Sequence, residues 1–473
     1  MKKHLLAAAL CSFGSAPVIA ADLPVRPYTK APVLATVYDW TGFYVGVNTG
    51  VGLGRDRFQS NFLVGANPPY SFYESPQGVF GGGHIGYNWQ TGSTLGPIVF
   101  GVEADIQGGG LSDNRTNFNF FGVKTTGFTQ KLDWFGTVRG RLGLATGPVL
   151  SYVTAGYAVG DVKTNATQSA AGLTTAFSTD RTQSGWVVGS GVEAALGGNW
   201  TGKIEYLYLN LGNKTDFGVP FLTPGYISSE IRENIFRVGL NYRIGGNANY
   251  QPVAASNWSG FYLGGNFGSG TGRDRASLSV PAIATVEAFN LAPDGVNGGV
   301  QAGYNWQAAN WVFGLETDLQ GSTQKDNKTC VLTCGLSGVY AAYDATLPWL
   351  GTVRGRVGYS VGSTLFYATG GYAYGDVKTR ITTNSFVGVV TNTFSTMKSG
   401  WTAGAGVETP FTFLGLFGPN WTSKTEYLYV DLGSTSDTFI IGAVSATNTR
   451  SVTEHILRTG LNYHFNSPVV AKY

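Results

Sequence analysis

Phe236-Arg237-Val238-Gly239-Leu240-Asn241-Tyr242-Arg243 sets an apolar or aromatic residue against a cation, a glycine or an amide at every second position. Side chains of a β-strand alternate between its two faces. The octet therefore reads as a strand with Phe236, Val238, Leu240 and Tyr242 on one side and Arg237, Gly239, Asn241 and Arg243 on the other. The same period runs through Phe43, Val45 and Val47 against Tyr44, Gly46 and Asn48, and through Ile85, Tyr87 and Trp89 against His84, Gly86, Asn88 and Gln90. It returns with Val138, Leu142 and Leu144 against Arg139, Arg141 and Gly143, and with Ile204, Tyr206 and Tyr208 against Lys203 and Glu205. Arginine and lysine lie on the face opposite the aromatics.

Alternation alone fits a water-soluble sandwich as well as a membrane barrel, and the connections separate the two. Strands expected near 40–53, 79–90, 97–107, 131–145, 149–162, 184–195, 199–211 and 231–244 leave long connections at 54–78, 108–130, 163–183 and 212–230. The connections between them, 91–96, 146–148 and 196–198, are short. Short turns on one side and long loops on the other are the pattern of outer-membrane barrels, with the turns in the periplasm. Tyrosines and tryptophans near strand ends fit interfacial girdles. The expected fold is all-β, a transmembrane antiparallel up-and-down β-barrel.

Composition agrees. Of 473 residues 69 are glycine and only 12% are charged, which argues against an ordinary cytosolic enzyme; 43% hydrophobic and 14% aromatic residues exclude disorder. Lys2 and Lys3 precede an apolar run from Leu5 to Leu10, and Val18-Ile19-Ala20 stands before Ala21, so residues 1–20 read as a secretory signal peptide. Its removal takes two lysines from 31 basic residues, leaving 29 against 28 acidic ones, and no basic stripe for nucleic acid. Cys11 leaves with it; Leu10 stands where a lipoprotein signal needs a small residue. No later stretch has the roughly 18 apolar residues of a transmembrane helix.

The chain repeats itself. Trp40-Thr41-Gly42-Phe43-Tyr44 returns as Trp258-Ser259-Gly260-Phe261-Tyr262, and Gly86-Tyr87-Asn88-Trp89-Gln90 as Gly303-Tyr304-Asn305-Trp306-Gln307. Gly136-Thr137-Val138-Arg139-Gly140-Arg141 returns as Gly351-Thr352-Val353-Arg354-Gly355-Arg356, and Gly239-Leu240-Asn241-Tyr242 as Gly460-Leu461-Asn462-Tyr463. On these motifs, over roughly residues 38–465, the sequence resembles the outer-membrane immunogenic protein family, porin-like eight-stranded surface antigens of alphaproteobacteria. The resemblance implies an integral outer-membrane protein; the residues themselves lead to the expectation of no cofactor. The resemblance leaves haem binding as a minor alternative, since some members are thought to bind haem. Here two units stand where most relatives carry one. The organisation expected is signal 1–20, a Pro-containing periplasmic lead 21–39, unit one 40–244, a periplasmic linker 245–257, unit two 258–465 and a short tail 466–473.

Two eight-stranded barrels and one sixteen-stranded barrel both return the chain to the periplasm after residue 244. Charge favours two. In unit one the inward set is Arg139, Arg141, Lys203, Arg237 and Arg243 against Glu103, Asp105, Glu193 and Glu205. In unit two it is Arg354, Arg356, Lys424 and Arg458 against Glu316, Asp318, Glu408 and Glu426. Each unit nearly neutralises itself, as a narrow lumen requires, since an isolated charge there is costly to desolvate. A wide aqueous pore would tolerate imbalance.

The remaining candidates are few. The pairs Glu103/Asp105 and Glu316/Asp318 share one strand face, the geometry of an acid and a base, but no nucleophile accompanies them and ion pairing explains them. No catalytic residue and no metal site is expected: His84, His455 and His464 lack partner ligands at useful spacing. Cys330 and Cys334 in a long loop are expected to form a local disulfide in an oxidising exterior. Arg55, Arg57, Arg273 and Arg275, in Gly-Arg-Asp-Arg at the outer end of each first strand, can reach lipopolysaccharide phosphates, or else bridge to the intervening Asp. Leu461, Tyr463 and Phe465 end the last strand with the pattern that, in the proteins it resembles, recruits the barrel-assembly machinery; unit one ends in Ile244. The function expected is a structural and surface-interaction role with charge-paired, plugged lumens, in contact with outer-membrane lipid and lipopolysaccharide. The alternative is a sixteen-stranded porin for small hydrophilic solutes, and an enzyme is not expected.

Overall fold

The computed structural model describes residues 38–60, 70–92, 97–118, 124–170, 173–219, 225–245, 256–283, 285–329, 340–385, 388–411, 417–441 and 444–465. The expected signal peptide, most of the lead and linker, the tail and the Cys330/Cys334 disulfide lie outside these residues.

The first half consists of β1 (Gly42–Gly54), β2 (Asp56–Ser60), β3 (Tyr70–Glu74), β4 (Gln77–Thr91), β5 (Ile98–Phe118), β6 (Lys124–Thr146), β7 (Val149–Ala170), β8 (Leu173–Gly197), β9 (Trp200–Val219) and β10 (Gly225–Ile244). The second half consists of β11 (Gly260–Gly272), β12 (Asp274–Val280), β13 (Thr285–Leu291), β14 (Asp294–Ala308), β15 (Trp311–Thr329), β16 (Tyr340–Val361), β17 (Thr364–Ser385), β18 (Gly388–Pro410), β19 (Trp421–Ile441) and β20 (Val444–His464).

Closure happens twice. Phe43 of β1 pairs with Tyr87 of β4 on one side and with Ile244 of β10 on the other, so eight antiparallel strands form a ring. β11 likewise pairs with β14 and β20. The single sixteen-stranded ring is thereby excluded: β10 returns to β1 and does not continue into β11. Each ring has a hairpin, β2–β3 or β12–β13, that joins the outer end of the last strand, for example through Glu230↔Arg57 and Arg275↔Ser451.

The wall follows the alternation. Val238, Leu240 and Tyr242 are 39–49% exposed, whereas Arg237, Asn241 and Arg243 are at most 3% exposed. Trp89, Trp186, Trp200, Trp306, Trp311 and Trp401 stand outside as a girdle, each about half exposed.

Two expectations are corrected. The segments read as long loops are largely strand: β7 has 22 residues, about 70 Å at ~3.3 Å each, and at a tilt of about 45° rises about 50 Å against an apolar band of ~25 Å. Its outer half still alternates, with Val162, Thr164 and Ala166 buried and Asn165 and Thr167 exposed. Threonine suits a half-buried pleat as well as it suits a loop, and the Thr/Ser/Asn composition concealed this. Trp40 and Trp258 are not in the girdle. Both are fully buried, because each precedes the strand and folds back into the periplasmic mouth.

Candidate functional site

The signature opening each unit explains the floor of its lumen. The Trp40 amide donates to Gln90 Oε1 at 2.9 Å, and the Gln90 amide donates back to Thr41 Oγ1 at 3.0 Å. Trp258, Gln307 and Ser259 repeat this clip. Gly42 and Gly260 take φ of 134° and 126°, a region open to glycine, and turn the chain from floor to wall. The indole then packs inside, Trp40 among Val99, Leu150 and Tyr152, and Trp258 among Val312, Leu365 and Tyr367.

Above the floor lie the ion networks. Arg139 bridges Glu103, Asp105 (2.8 Å) and Glu205 (3.0 Å), and Arg237 reaches Asp105 at 3.1 Å and Glu205. Lys203 Nζ is 2.8 Å from Glu103, and Arg141 is 2.7 Å from Glu193. Neutral donors complete the carboxylates: Tyr44 to Glu103, Thr137 to Asp105, Tyr152 to Glu205, and Thr201 and Asn241 to Glu193. Unit two copies this residue for residue. Arg354 joins Glu316, Asp318 and Glu426; Arg458 joins Asp318 and Glu426; Lys424 joins Glu316; and Arg356 joins Glu408. Tyr262, Thr352, Tyr367, Thr422 and Asn462 supply the neutral donors.

Glycine makes the network fit. A Cβ on Gly101 would lie 2.8 Å from Arg141 Cγ, and one on Gly314 would lie 3.0 Å from Arg356 Cγ. Such close approaches leave no room for a methyl group beside the cation stems.

These contacts bring together the eight charges of the first inward set named above other than Arg243 and the eight of the second. Arg243 is the exception in the wider inward set. It is buried, but its guanidinium donates to the carbonyls of Asp39 and Thr41 and lies 5.0 Å over the Tyr38 ring. Each network is therefore four cations against four carboxylates. The second barrel has His464 at this position, 3.2 Å from Glu408 Oε1 and stacked on Tyr262.

His84 joins Asn48 and Asn241 on the lumen wall, and Gln301 joins Asn266 and Asn462 at the same place in the second barrel. His455 points out of its barrel, hydrogen-bonded to Tyr427 Oη at 2.6 Å. Among the described residues no group of three or more His, Cys, Asp or Glu is placed to hold a metal ion.

Sequence reasoning missed the tier above the network. There the first lumen is apolar, filled by Phe80, Leu111, Phe135, Leu207, Leu209 and Ile235 among others. In the second barrel Leu347, Leu350, Leu428, Val430 and Ile456 take this place. Further out, the hairpin residues Leu278, Phe289 and Leu291 pack on Tyr343, Ile381 and Phe439. Continuing the alternation past the cations would have found these residues.

Of the rim arginines, Arg57 and Arg275 are exposed. Arg55 pairs with Asp294 and Asp326, and Arg273 with Asp113. The bridge to the intervening Asp does not form: Asp56 accepts the Arg232 amide, and Asp274 pairs with Arg450. Lower on the outer wall of the first barrel, Lys131 and Lys163 form ion pairs with Asp133 at 2.5 and 2.9 Å.

Comparison with known proteins fits this geometry. The profile of the outer membrane protein beta-barrel domain matches residues 6–243 and again 247–465. A 31 kDa outer-membrane immunogenic protein of Brucella melitensis is 36% identical over 220 residues, 45% of this chain and 86% of its own length. A protein of that description from Brucella suis is 36% identical over 51% of this chain and 100% of its own length. A 22 kDa outer membrane protein of Rhizobium leguminosarum is 31% identical over 47% of this chain and 83% of its own length. One whole relative thus corresponds to about half of this chain.

Proposed function

The chain belongs to the outer membrane protein beta-barrel domain family and is an integral protein of the outer membrane, and we propose that its work there is structural and interactive: it stiffens the envelope and presents long outer walls and hairpins to the surroundings. The observation that carries this reading is the filled lumen. Indole floor, ion network and apolar tier follow one another along each axis, and an eight-stranded ring has an interior only wide enough for side chains. Arg57 and Arg275, exposed on the outer hairpins, are the residues offered to lipopolysaccharide phosphate.

A strain lacking the gene tests the proposal. The expected result is lower envelope stiffness under indentation and lower detergent tolerance, both restored by the full-length chain, with uptake of small sugars unchanged. Reduced sugar uptake with unchanged stiffness would overturn it in favour of transport.

A further inference from the structure

Phe236 projects from the first barrel on the same face as Val238, Leu240 and Tyr242, yet it is 5% exposed where they are 39–49% exposed. Two rings cover it, each 5.2 Å away, centroid to centroid: Tyr206 of its own barrel and Tyr427 of β19 in the other barrel. Tyr206 is the first barrel's counterpart of Tyr427, since both follow the network glutamate in Glu-Tyr-Leu-Tyr. Tyr206 in turn lines a cavity with Phe267, Gly268 and Ser269 of β11, while its hydroxyl donates to Asn234 of its own barrel. Equivalent tyrosines therefore face the other barrel in both directions.

The outer rims repeat the exchange with charge. Arg55 of the first barrel donates to Asp326 of the second at 2.6 Å, and Arg273 of the second donates to Asp113 of the first at 2.8 Å. Arg55 and Arg273 hold the same place in Gly-Arg-Asp-Arg. Asp113 and Asp326 hold the same place in Asp113-Asn114-Arg115-Thr116 and Asp326-Asn327-Lys328-Thr329.

The acceptors are also built alike. Asp113 Oδ2 takes the Ser75 amide at 2.8 Å, and Asp326 Oδ2 takes the Ala292 amide at 2.9 Å. Each Oδ1 takes the amide of the following asparagine at 2.9 Å. Both aspartates are at most 1% exposed, so these charge-assisted bonds escape the screening that weakens surface pairs. Around them β13 packs along β5, and β3 along β15.

When residue i of one body meets residue j of another while j of the first meets i of the second, the interface is isologous and its axis two-fold. We infer that this chain is a two-fold dimer joined through its connector, with Arg55–Asp326 and Arg273–Asp113 as its clasp. The two barrels stand in the membrane as one body held at the outer surface, and the partner of this Arg/Asp surface is a second copy of the same surface. The connector raises the effective concentration of one half for the other; the clasp fixes their orientation.

The test uses the full chain with a protease site inserted in the 245–257 connector and an affinity tag at the C-terminus, extracted in mild detergent and then cut. The first barrel is expected to stay with the tagged second barrel, and Arg55→Glu with Arg273→Glu to release it. Heat-modifiable gel migration reports whether the barrels of each variant are folded. In a Cys330→Ser, Cys334→Ser background, Arg55→Cys with Asp326→Cys is expected to crosslink, and Arg55→Cys with Asp113→Cys, both in one barrel, to stay uncrosslinked. Separation of the wild-type halves on cutting, or full retention by a folded double-Glu variant, would overturn the inference.

Discussion

His84 Nε2 lies 2.5 Å from Asn241 Oδ1 in the first barrel, and Gln301 Nε2 lies 2.6 Å from Asn462 Oδ1 in the second. On the other side, Asn48 donates to His84 Nδ1 and Asn266 to Gln301 Oε1. A neutral imidazole and a carboxamide both offer one donor and one acceptor, so the duplication shows that this position requires hydrogen bonding and does not require a titrating ring. His84→Gln should unfold in urea at the wild-type midpoint. His84→Leu takes the imidazole from Asn48 Nδ2 and Asn241 Oδ1, though Asn241 still donates to Glu193, and should cost about 1–3 kcal/mol. Equal losses in the two variants would show a role for the imidazole itself.

Arg139 and Arg354 each serve three carboxylates in a lumen with nearly no solvent. Removing one partner of a buried network leaves the others charged and unpaired, at a cost of about 3–5 kcal/mol. Arg139→Met should therefore lower the unfolding free energy by about that amount, whereas Lys163→Met on the outer wall should leave it unchanged. Similar stabilities for the two would mean that water reaches the network.

The four rim arginines divide into two pairs. Arg57 and Arg275 are exposed, and Arg55 and Arg273 are committed to carboxylates. Arg57→Ala with Arg275→Ala should weaken binding to lipopolysaccharide vesicles by about thirty-fold, since each cation near an anionic surface contributes about 1 kcal/mol. Co-elution of the cut halves should stay at the wild-type level. Vesicle binding unchanged in the double variant would remove lipopolysaccharide from the reading.

Phe465 is more than half exposed just past the periplasmic end of the last strand, against Tyr463, and Ile244 ends the first barrel. If assembly begins from the second barrel, Phe465→Ser should lower the amount of folded protein in the outer membrane several-fold and Ile244→Ser should not. Quantitative heat-modifiable immunoblots of membrane fractions measure both. The reverse order would place the assembly signal in the first barrel.

The strand faces and the sixteen charges were legible because a two-residue period fixes orientation, and a narrow lumen permits charge on one side only. Neutrality within each unit even indicated two closures, and Phe43, paired with both Tyr87 and Ile244, bears this out. The outer halves of the strands were not legible as strand, because Thr164, Asn165 and Thr167 are ordinary loop residues by composition. Nor was the fate of Trp40: a tryptophan beside a strand end suits a girdle as well as a floor, and only its clip to Gln90 decides. Arg243 looked like one more lumen cation, but carbonyls and the Tyr38 ring satisfy it. Contacts between the halves, such as Phe236 on Tyr427, leave no periodic trace at all.

Two separately closed and filled barrels cross the membrane, and neither leaves an open pore. Single-channel recording of the purified full-length chain in planar bilayers tests it most directly, with a general porin as the positive control. A silent membrane, or brief flickers far below the porin's step, is expected at every voltage that the bilayer withstands. Large, stable, ohmic steps from the wild-type chain would contradict it.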